Sequence, residues 1–118
     1  MSEKIINIGK QITNLEGVVI TKEDGAPFTV GDALLTYIRH SQSAHLTEEE
    51  LNTVYVLGLN IGKVLGTGTI TVNGSQFKVI DKLVRSKFST PNGKEEYLFT
   101  LEVRMAVIQA IEESENAK

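Results

Sequence analysis

The feature that most constrains the fold is a tight turn at residues 23–35 that leads directly into a capped helix. Asp24–Gly25 is a strong turn signal, and Pro27 prevents a strand from continuing through its position. Thr29 is a good helix N-cap, and Asp32 supplies the carboxylate of a capping-box pattern. The stretch therefore predicts a short β-hairpin or extended arm that ends where a helix begins.

Two helices are predicted after this turn, joined by a short polar loop at residues 41–45. The first should run to about His40. Its buried face is expected to consist of Ala33, Leu34, Tyr37 and Ile38. The second has the clearest start in the chain, because Thr47 can cap it and Glu50 completes a capping box. Its body, to about residue 65, is apolar on nearly all sides, which predicts a central, buried helix.

The stretch after this helix has two interpretations. Asn73–Gly74 would suit a type I′ hairpin turn, whereas apolar residues at helical spacing continue as far as Phe88. We predict a strand at 69–72 and a helix from about 75 to 87 with Ser75 as its cap. A sustained 3.6-residue period decides this choice over one dipeptide.

The C-terminal part is predicted to contain a loop at 89–94 and one more helix, followed by a polar tail at 114–118. The apolar stripe of that helix is expected to be Leu98, Leu101, Met105, Ile108 and Ile111. Together these elements predict one α+β domain over residues 1–118. A short N-terminal β-hairpin or arm would lie against a mainly helical bundle of about four helices.

Composition limits the cellular setting and the available chemistry. The chain has no cysteine, which excludes disulfides, thiolate metal sites and thiol nucleophiles. No apolar run approaches the roughly 20 residues that span a bilayer. The N-terminus also lacks the basic region and long apolar segment of a signal peptide. We therefore expect a cytoplasmic protein that has no membrane partner.

No motif in the chain predicts catalysis, a cofactor or a metal. Gly58–Lys63 is one residue short of a phosphate-binding P-loop. Gly58 and Gly62 are expected instead to let a neighbouring helix pack closely. His40 and His45 lie five residues apart, whereas helical metal pairs use i, i+4 spacing. We predict a non-enzyme with no catalytic, cofactor-binding or metal-binding residues.

Charge is distributed unevenly: the net charge is −3, yet residues 61–94 are basic between acidic flanks. If residues 75–87 are helical, Lys78, Lys82 and Arg85 line one face. This face is the candidate partner-binding site, for a phosphate or an acidic partner, and the alternative is an ordinary solvated helix face. No aromatic residues interleave with these cations, and the overall acidic charge argues against non-specific DNA binding.

The order of these elements resembles a broad group of small bacteriophage and prophage proteins, over residues 15–88. The features that match are Asp24–Pro27, Thr29–Leu35, Leu46–Glu50, Ile70–Val72 and Ile80–Val84. The group has no established activity, so the resemblance implies a phage origin and a location in the host cytoplasm rather than a function. The loop at 89–97 and the long acidic last helix depart from the pattern.

These observations predict a non-enzymatic, phage-type accessory protein that acts through protein–protein interaction, as a host-process inhibitor or a virion-assembly factor. Charge reversal at Lys78, Lys82 and Arg85 together is expected to weaken partner binding without unfolding the protein. The alternative is a small regulatory nucleic-acid-binding module that uses the same face and shows steep salt dependence. The apolar second helix also predicts a homo-oligomer, formed through a patch left exposed.

Overall fold

The computed structural model describes residues 3–116 and confirms an α+β fold. Within these residues the helices are α1 (Val30–Arg39), α2 (Glu48–Val64), α3 (Gly74–Val84) and α4 (Leu101–Glu112). The strands are β1 (Lys4–Asn7), β2 (Thr69–Val72), β3 (Phe88–Ser89), β4 (Glu95–Glu96) and β5 (Glu115–Asn116). An antiparallel sheet has the order β2-β1-β5, and β3 and β4 form a separate hairpin.

The sheet joins parts of the chain that are far apart in sequence. In β1, Lys4 lies opposite Val72 of β2 and also opposite Asn116 of β5. The prediction of a polar tail from residue 114 was therefore wrong for Glu115–Asn116, which pairs as an edge strand. This strand contributes backbone hydrogen bonds rather than apolar side chains, so its polar composition conceals it.

Between β1 and α1 the chain forms an arm of three short extended segments instead of a regular hairpin. Three isolated bridges join these segments. Ile20 N donates to Ile12 O at 2.9 Å, Ile12 N donates to Phe28 O at 2.9 Å, and Phe28 N donates to Ile20 O at 2.8 Å. Each of the three segments is thus hydrogen-bonded to the other two, which fixes the shape of the arm without a long strand.

Both predicted helix starts are confirmed as capping boxes. At α1, Asp32 N donates to Thr29 Oγ1 at 3.3 Å and Thr29 N donates to Asp32 Oδ2 at 3.0 Å. At α2, Glu50 N donates to Thr47 Oγ1 at 3.1 Å and Thr47 N donates to Glu50 Oε1 at 2.9 Å. Each box satisfies two backbone donors that a helix N-terminus otherwise leaves without partners.

The predicted strand and helix after α2 are confirmed as β2 and α3, but the cap and the end of α3 were predicted wrongly. Asn73, not Ser75, is the N-cap: its Oδ1 accepts from Gln76 N at 2.8 Å. Gln76 Oε1 accepts from Asn73 N in return, at 3.0 Å. Asn73 was considered as a turn residue, although asparagine is equally favoured as an N-cap. The helix ends at Val84, three residues earlier than expected.

The predicted burial of α2 on all sides was wrong. Only one side of the helix is buried, through Val54, Leu57 and Ile61. α1, rather than α2, lies at the centre of the helices, because it packs against α2, α3 and α4. An apolar sequence indicates that a helix can be buried, but the number of elements that pack against the helix determines how much of its surface is buried.

The predicted apolar stripe of α4 is confirmed in part: Ile111 is buried, and Leu98 and Ile108 pack against the core. The prediction was wrong for the other two residues. The buried residues of the helix are Val103, Val107, Ala110 and Ile111. Leu101 and Met105 are exposed, and Leu98 precedes the helix. The loop predicted at 89–94 is the connection between β3 and β4.

The two glycines of α2 have different surroundings. A Cβ at Gly58 would lie 3.1 Å from Ile38 Cγ2 on α1, so the prediction of close helix packing is confirmed there. A Cβ at Gly62 would meet nothing within 4 Å, so the same prediction was wrong for Gly62. Gly62 therefore lies on the exposed side of α2, where the described residues of this chain give no packing reason for a glycine.

We expect Gly62→Ala to raise the free energy of unfolding by about 0.5–1 kcal/mol, because glycine is unfavourable inside an exposed helix. Urea unfolding at low protein concentration measures this effect. Gly31→Ala is the control and should lower the free energy of unfolding, since its Cβ would lie 2.9 Å from Leu65 Cδ2 and 3.1 Å from Ile8 O. A loss of stability in Gly62→Ala would contradict the placement of Gly62 in open space.

Candidate functional site

The predicted partner-binding residues lie together on an exposed surface. Lys78 and Lys82 project from α3, and Arg85 is the C-cap of the same helix. Ile80 and Val84, on the other side of α3, are buried in the core. The structure thus brings the three cations to one face, as the helical spacing indicated, and their role in binding stays a prediction.

Carboxylates from three helices offset much of this positive charge. Lys82 Nζ lies 3.0 Å from both carboxylate oxygens of Glu50 on α2. Arg85 Nε donates to Asp81 Oδ1 at 3.0 Å, and Arg85 Nη2 donates to Glu112 Oε2 at 3.4 Å. Two of the three cations therefore pair with three carboxylates, whereas Lys78 takes part in no ion pair among the described residues. Sequence analysis missed this pairing, because Glu50 and Glu112 are distant from α3 along the chain.

The hydrogen bonds of this cluster shift the pKa values of Glu50 and Arg85 in the direction that favours their charged forms. The backbone N–H of Thr47 chiefly lowers the pKa of Glu50, and Lys82 lowers it further. The hydrogen bond that Arg85 donates to Asp81 chiefly raises the pKa of Arg85, and Glu112 adds to that shift. Because these groups are exposed, their pairing mainly fixes side-chain positions and contributes little to stability.

An aromatic ring also lies among cations outside α3. Tyr97 has Arg104 Cζ 3.6 Å and Lys87 Nζ 5.2 Å from the centre of its ring. These three residues come from separate segments, so the sequence spacing did not indicate the cluster. Arg104 already occupies one part of the ring where a nucleic-acid base would stack.

The two histidines lie on the surface and do not converge with each other. His40 caps the end of α1, and His45 Nε2 lies 3.1 Å from Glu95 Oε2 on β4. Among residues 3–116, no group of three His, Asp or Glu side chains is arranged to hold a metal ion.

The exposed side of α2 carries three large apolar side chains, which we call the α2 stripe. Tyr55, Val56 and Leu59 have exposed fractions of 63%, 42% and 50%. Their i, i+1 and i+4 spacing places them on one face of the helix. The stripe lies opposite Leu57 and Ile61, which are buried. Sequence analysis recognised these residues as apolar but assigned them to the core.

A second apolar surface is a groove between the arm and the start of α4, with a volume of about 600 Å³. Its apolar lining is Ile20, Phe28, Leu98, Phe99 and Val103. The rings of Phe28 and Phe99 lie 5.9 Å apart, so the two sides of the groove touch each other. Three separate segments build the groove, and no local sequence pattern could have indicated it.

Tyr37 is a fully buried titratable residue in the aromatic cluster beside this groove. Its ring packs edge-on against Phe99 at 5.2 Å and lies 5.8 Å from Phe88. The hydroxyl group has no hydrogen-bond partner among the described residues. Burial raises the pKa of Tyr37 to about 12, and Arg104 opposes that shift.

Comparison with protein-family models, curated proteins and solved structures gave no match for this chain. Within residues 3–116, every helix is too short or too polar to cross a membrane. The surfaces themselves therefore carry the functional argument.

We expect Tyr37→Phe to maintain or raise the stability of the protein, because a buried hydroxyl without a partner costs about 1–3 kcal/mol. The folded-state pKa of about 12 exceeds the usual value of 10.0. The wild type should therefore keep this residue's contribution below pH 10 and lose it as the pH rises to about 12. Urea unfolding below and above pH 10 should show that the free energy of unfolding falls less steeply with pH for Tyr37→Phe than for the wild type, and an equally steep fall in both proteins would contradict this prediction.

Proposed function

We propose that this protein is a non-enzymatic accessory protein that acts by binding another protein through the α2 stripe. One observation carries the proposal: Tyr55, Val56 and Leu59 are exposed together on one face of a single helix. Isolated apolar residues are common on protein surfaces, whereas grouped ones are typical of interaction sites. Tyrosine is also among the residues that contribute most to binding energy at interfaces.

The position of the stripe on a well-anchored helix supports this proposal. The capping box of Thr47 and Glu50 orders the start of α2, and the pair of Glu50 with Lys82 links α2 to α3. Three buried residues on the inner side of α2 anchor it to the core. A partner that binds a helix already held in place loses less conformational entropy than one that must order a loop.

The face of Lys78, Lys82 and Arg85 is a separate hypothesis for the same function. Ion pairs with Glu50, Asp81 and Glu112 reduce the attraction that Lys82 and Arg85 can exert on an acidic partner. The nucleic-acid alternative depends on the same cations. We therefore place the α2 stripe first and this face second.

The biological setting of the proposal comes from the resemblance to small phage and prophage proteins. A phage-encoded protein of this kind would work in the host cytoplasm, as an inhibitor of a host process or as a virion-assembly factor. Both roles require only a stable surface that recognises another protein, which the α2 stripe supplies.

The test is affinity capture of the tagged protein, with nuclease present, from lysate of host cells that also express the untagged chain, read by mass spectrometry. We expect one stoichiometric protein partner. Tyr55→Ser/Leu59→Ser should reduce the captured amount of this partner at least roughly tenfold, since two side chains that become buried in an interface each contribute over 1 kcal/mol. Leu15→Ser/Val18→Ser is the matched control, because it removes two exposed apolar residues from the arm. Equal capture by both variants would refute the proposal.

A second variant distinguishes the charged face from the stripe. We prefer Lys78→Gln/Lys82→Gln/Arg85→Gln to charge reversal, because new carboxylates would face Glu50, Asp81 and Glu112. We expect this variant to retain the partner at any salt concentration. Loss of binding in this variant would favour the nucleic-acid alternative if the affinity of the wild type also falls log-linearly with salt concentration.

A further inference from the structure

We propose that a second copy of this chain docks on the α2 stripe, with the two α2 helices antiparallel. This inference rests on the proposed function and names the partner of the same surface. A symmetric dimer places the same patch on both sides of the interface, so the patch must complement itself. The stripe and the charges at its two ends meet this condition.

The charges at the two ends of α2 are opposite in sign. Glu48 and Glu49 lie exposed in the first turn, and Lys63 lies exposed in the last turn. In the part of the chain that the structure describes, these three side chains take part in no ion pair. An antiparallel arrangement brings unlike ends together, whereas a parallel one would bring carboxylate to carboxylate and ammonium to ammonium.

The apolar contacts and the charges agree on one register. Residue 57 is midway between Tyr55 and Leu59, and an antiparallel pair centred there sets Tyr55 opposite Leu59 of the second copy. Lys63 of one copy then lies opposite residue 51 of the other. At a rise of 1.5 Å per residue, the offset along the helix axis from Lys63 is roughly 3 Å to Glu49 and roughly 4.5 Å to Glu48 of that other copy. A lysine side chain spans that offset, so the stripe and the ion pairs form together.

Gly62 provides an independent reason for a helix neighbour on this face. Glycine inside a helix costs about 1 kcal/mol relative to alanine. In this chain a Cβ at Gly62 would meet nothing within 4 Å, so the monomer fold does not explain the glycine. In the proposed register Gly62 lies opposite Asn52, where a missing side chain lets two helix backbones approach closely.

The size of the contact predicts a weak dimer. α2 has 17 residues, which corresponds to a length of roughly 25 Å. One helix pair of this length is at the small end of specific interfaces, where dissociation constants are commonly micromolar. We therefore expect the oligomeric state to depend on concentration in the micromolar range.

Sedimentation equilibrium of the purified protein over this range tests the inference. We expect a monomer–dimer equilibrium, which Leu59→Ser weakens at least about tenfold and Leu15→Ser/Val18→Ser leaves unchanged. Gly62→Gln, which improves helix propensity but adds bulk, should also weaken the dimer while it stabilises the monomer. Circular dichroism of each variant confirms that its fold is retained.

Charge exchange tests the antiparallel orientation. Lys63→Glu should weaken the dimer, and Glu48→Lys/Glu49→Lys/Lys63→Glu should restore it, because both ends change sign together. A dimer that survives Leu59→Ser, or that charge exchange does not restore, would overturn the inference.

A protein that stays monomeric at every concentration would also overturn the inference, and it leaves the proposed function to its own test. If the monomeric protein captures a different protein and the stripe variant loses it, the proposed function stands without the dimer. If the monomeric protein and the stripe variant capture the same proteins, both proposals are wrong.

Discussion

The fold depends on the position of β1 in the middle of the sheet, between two strands that come from much later in the chain. Just after β1, Ile8 N donates to Gly68 O at 2.9 Å and Gly31 N donates to Ile8 O at 2.8 Å. These two bonds join the end of β1 to the start of β2 and to the first turn of α1. The approach requires glycine, because a Cβ at Gly9 would lie 2.9 Å from Gly68 Cα, and Gly68 itself has a φ of 87°.

The central position of β1 determines how α2 is exposed. The chain leaves α1, forms α2 and must return to pair β2 with β1, so α2 crosses the core once with α1, α3 and β2 as its main neighbours. These neighbours cover the side that carries Val54, Leu57 and Ile61. The described residues leave the other side of α2 exposed. The exposure of the α2 stripe is therefore a consequence of the topology.

The sequence predicted those features that depend on neighbours three or four residues apart. The boxes of Thr29 with Asp32 and of Thr47 with Glu50 are local, and both are present. β5 depends on contacts with distant elements, and so does the burial of Val103 and Val107 on α4; the sequence predicted neither. The candidate site divides in the same way. Helical spacing placed Lys78, Lys82 and Arg85 on one face, but the Glu50 that pairs with Lys82 lies 32 residues away. The apolar character of α2 was evident, whereas its outward direction required the fold.

Glu48 and Glu49, at the start of α2, also bear on what the helix can bind. Glu48 and Glu49 lie in the first turn, where the helix dipole favours carboxylates, and Lys63 lies at the end where it favours cations. The stability of the helix itself therefore explains the charge pattern without any partner. It does not explain an apolar stripe and a glycine between the charged ends. Local stability would favour polar residues and alanine at those positions. Tyr55, Leu59 and Gly62 depart from that expectation on the same face, and a second helix against this face accounts for all three.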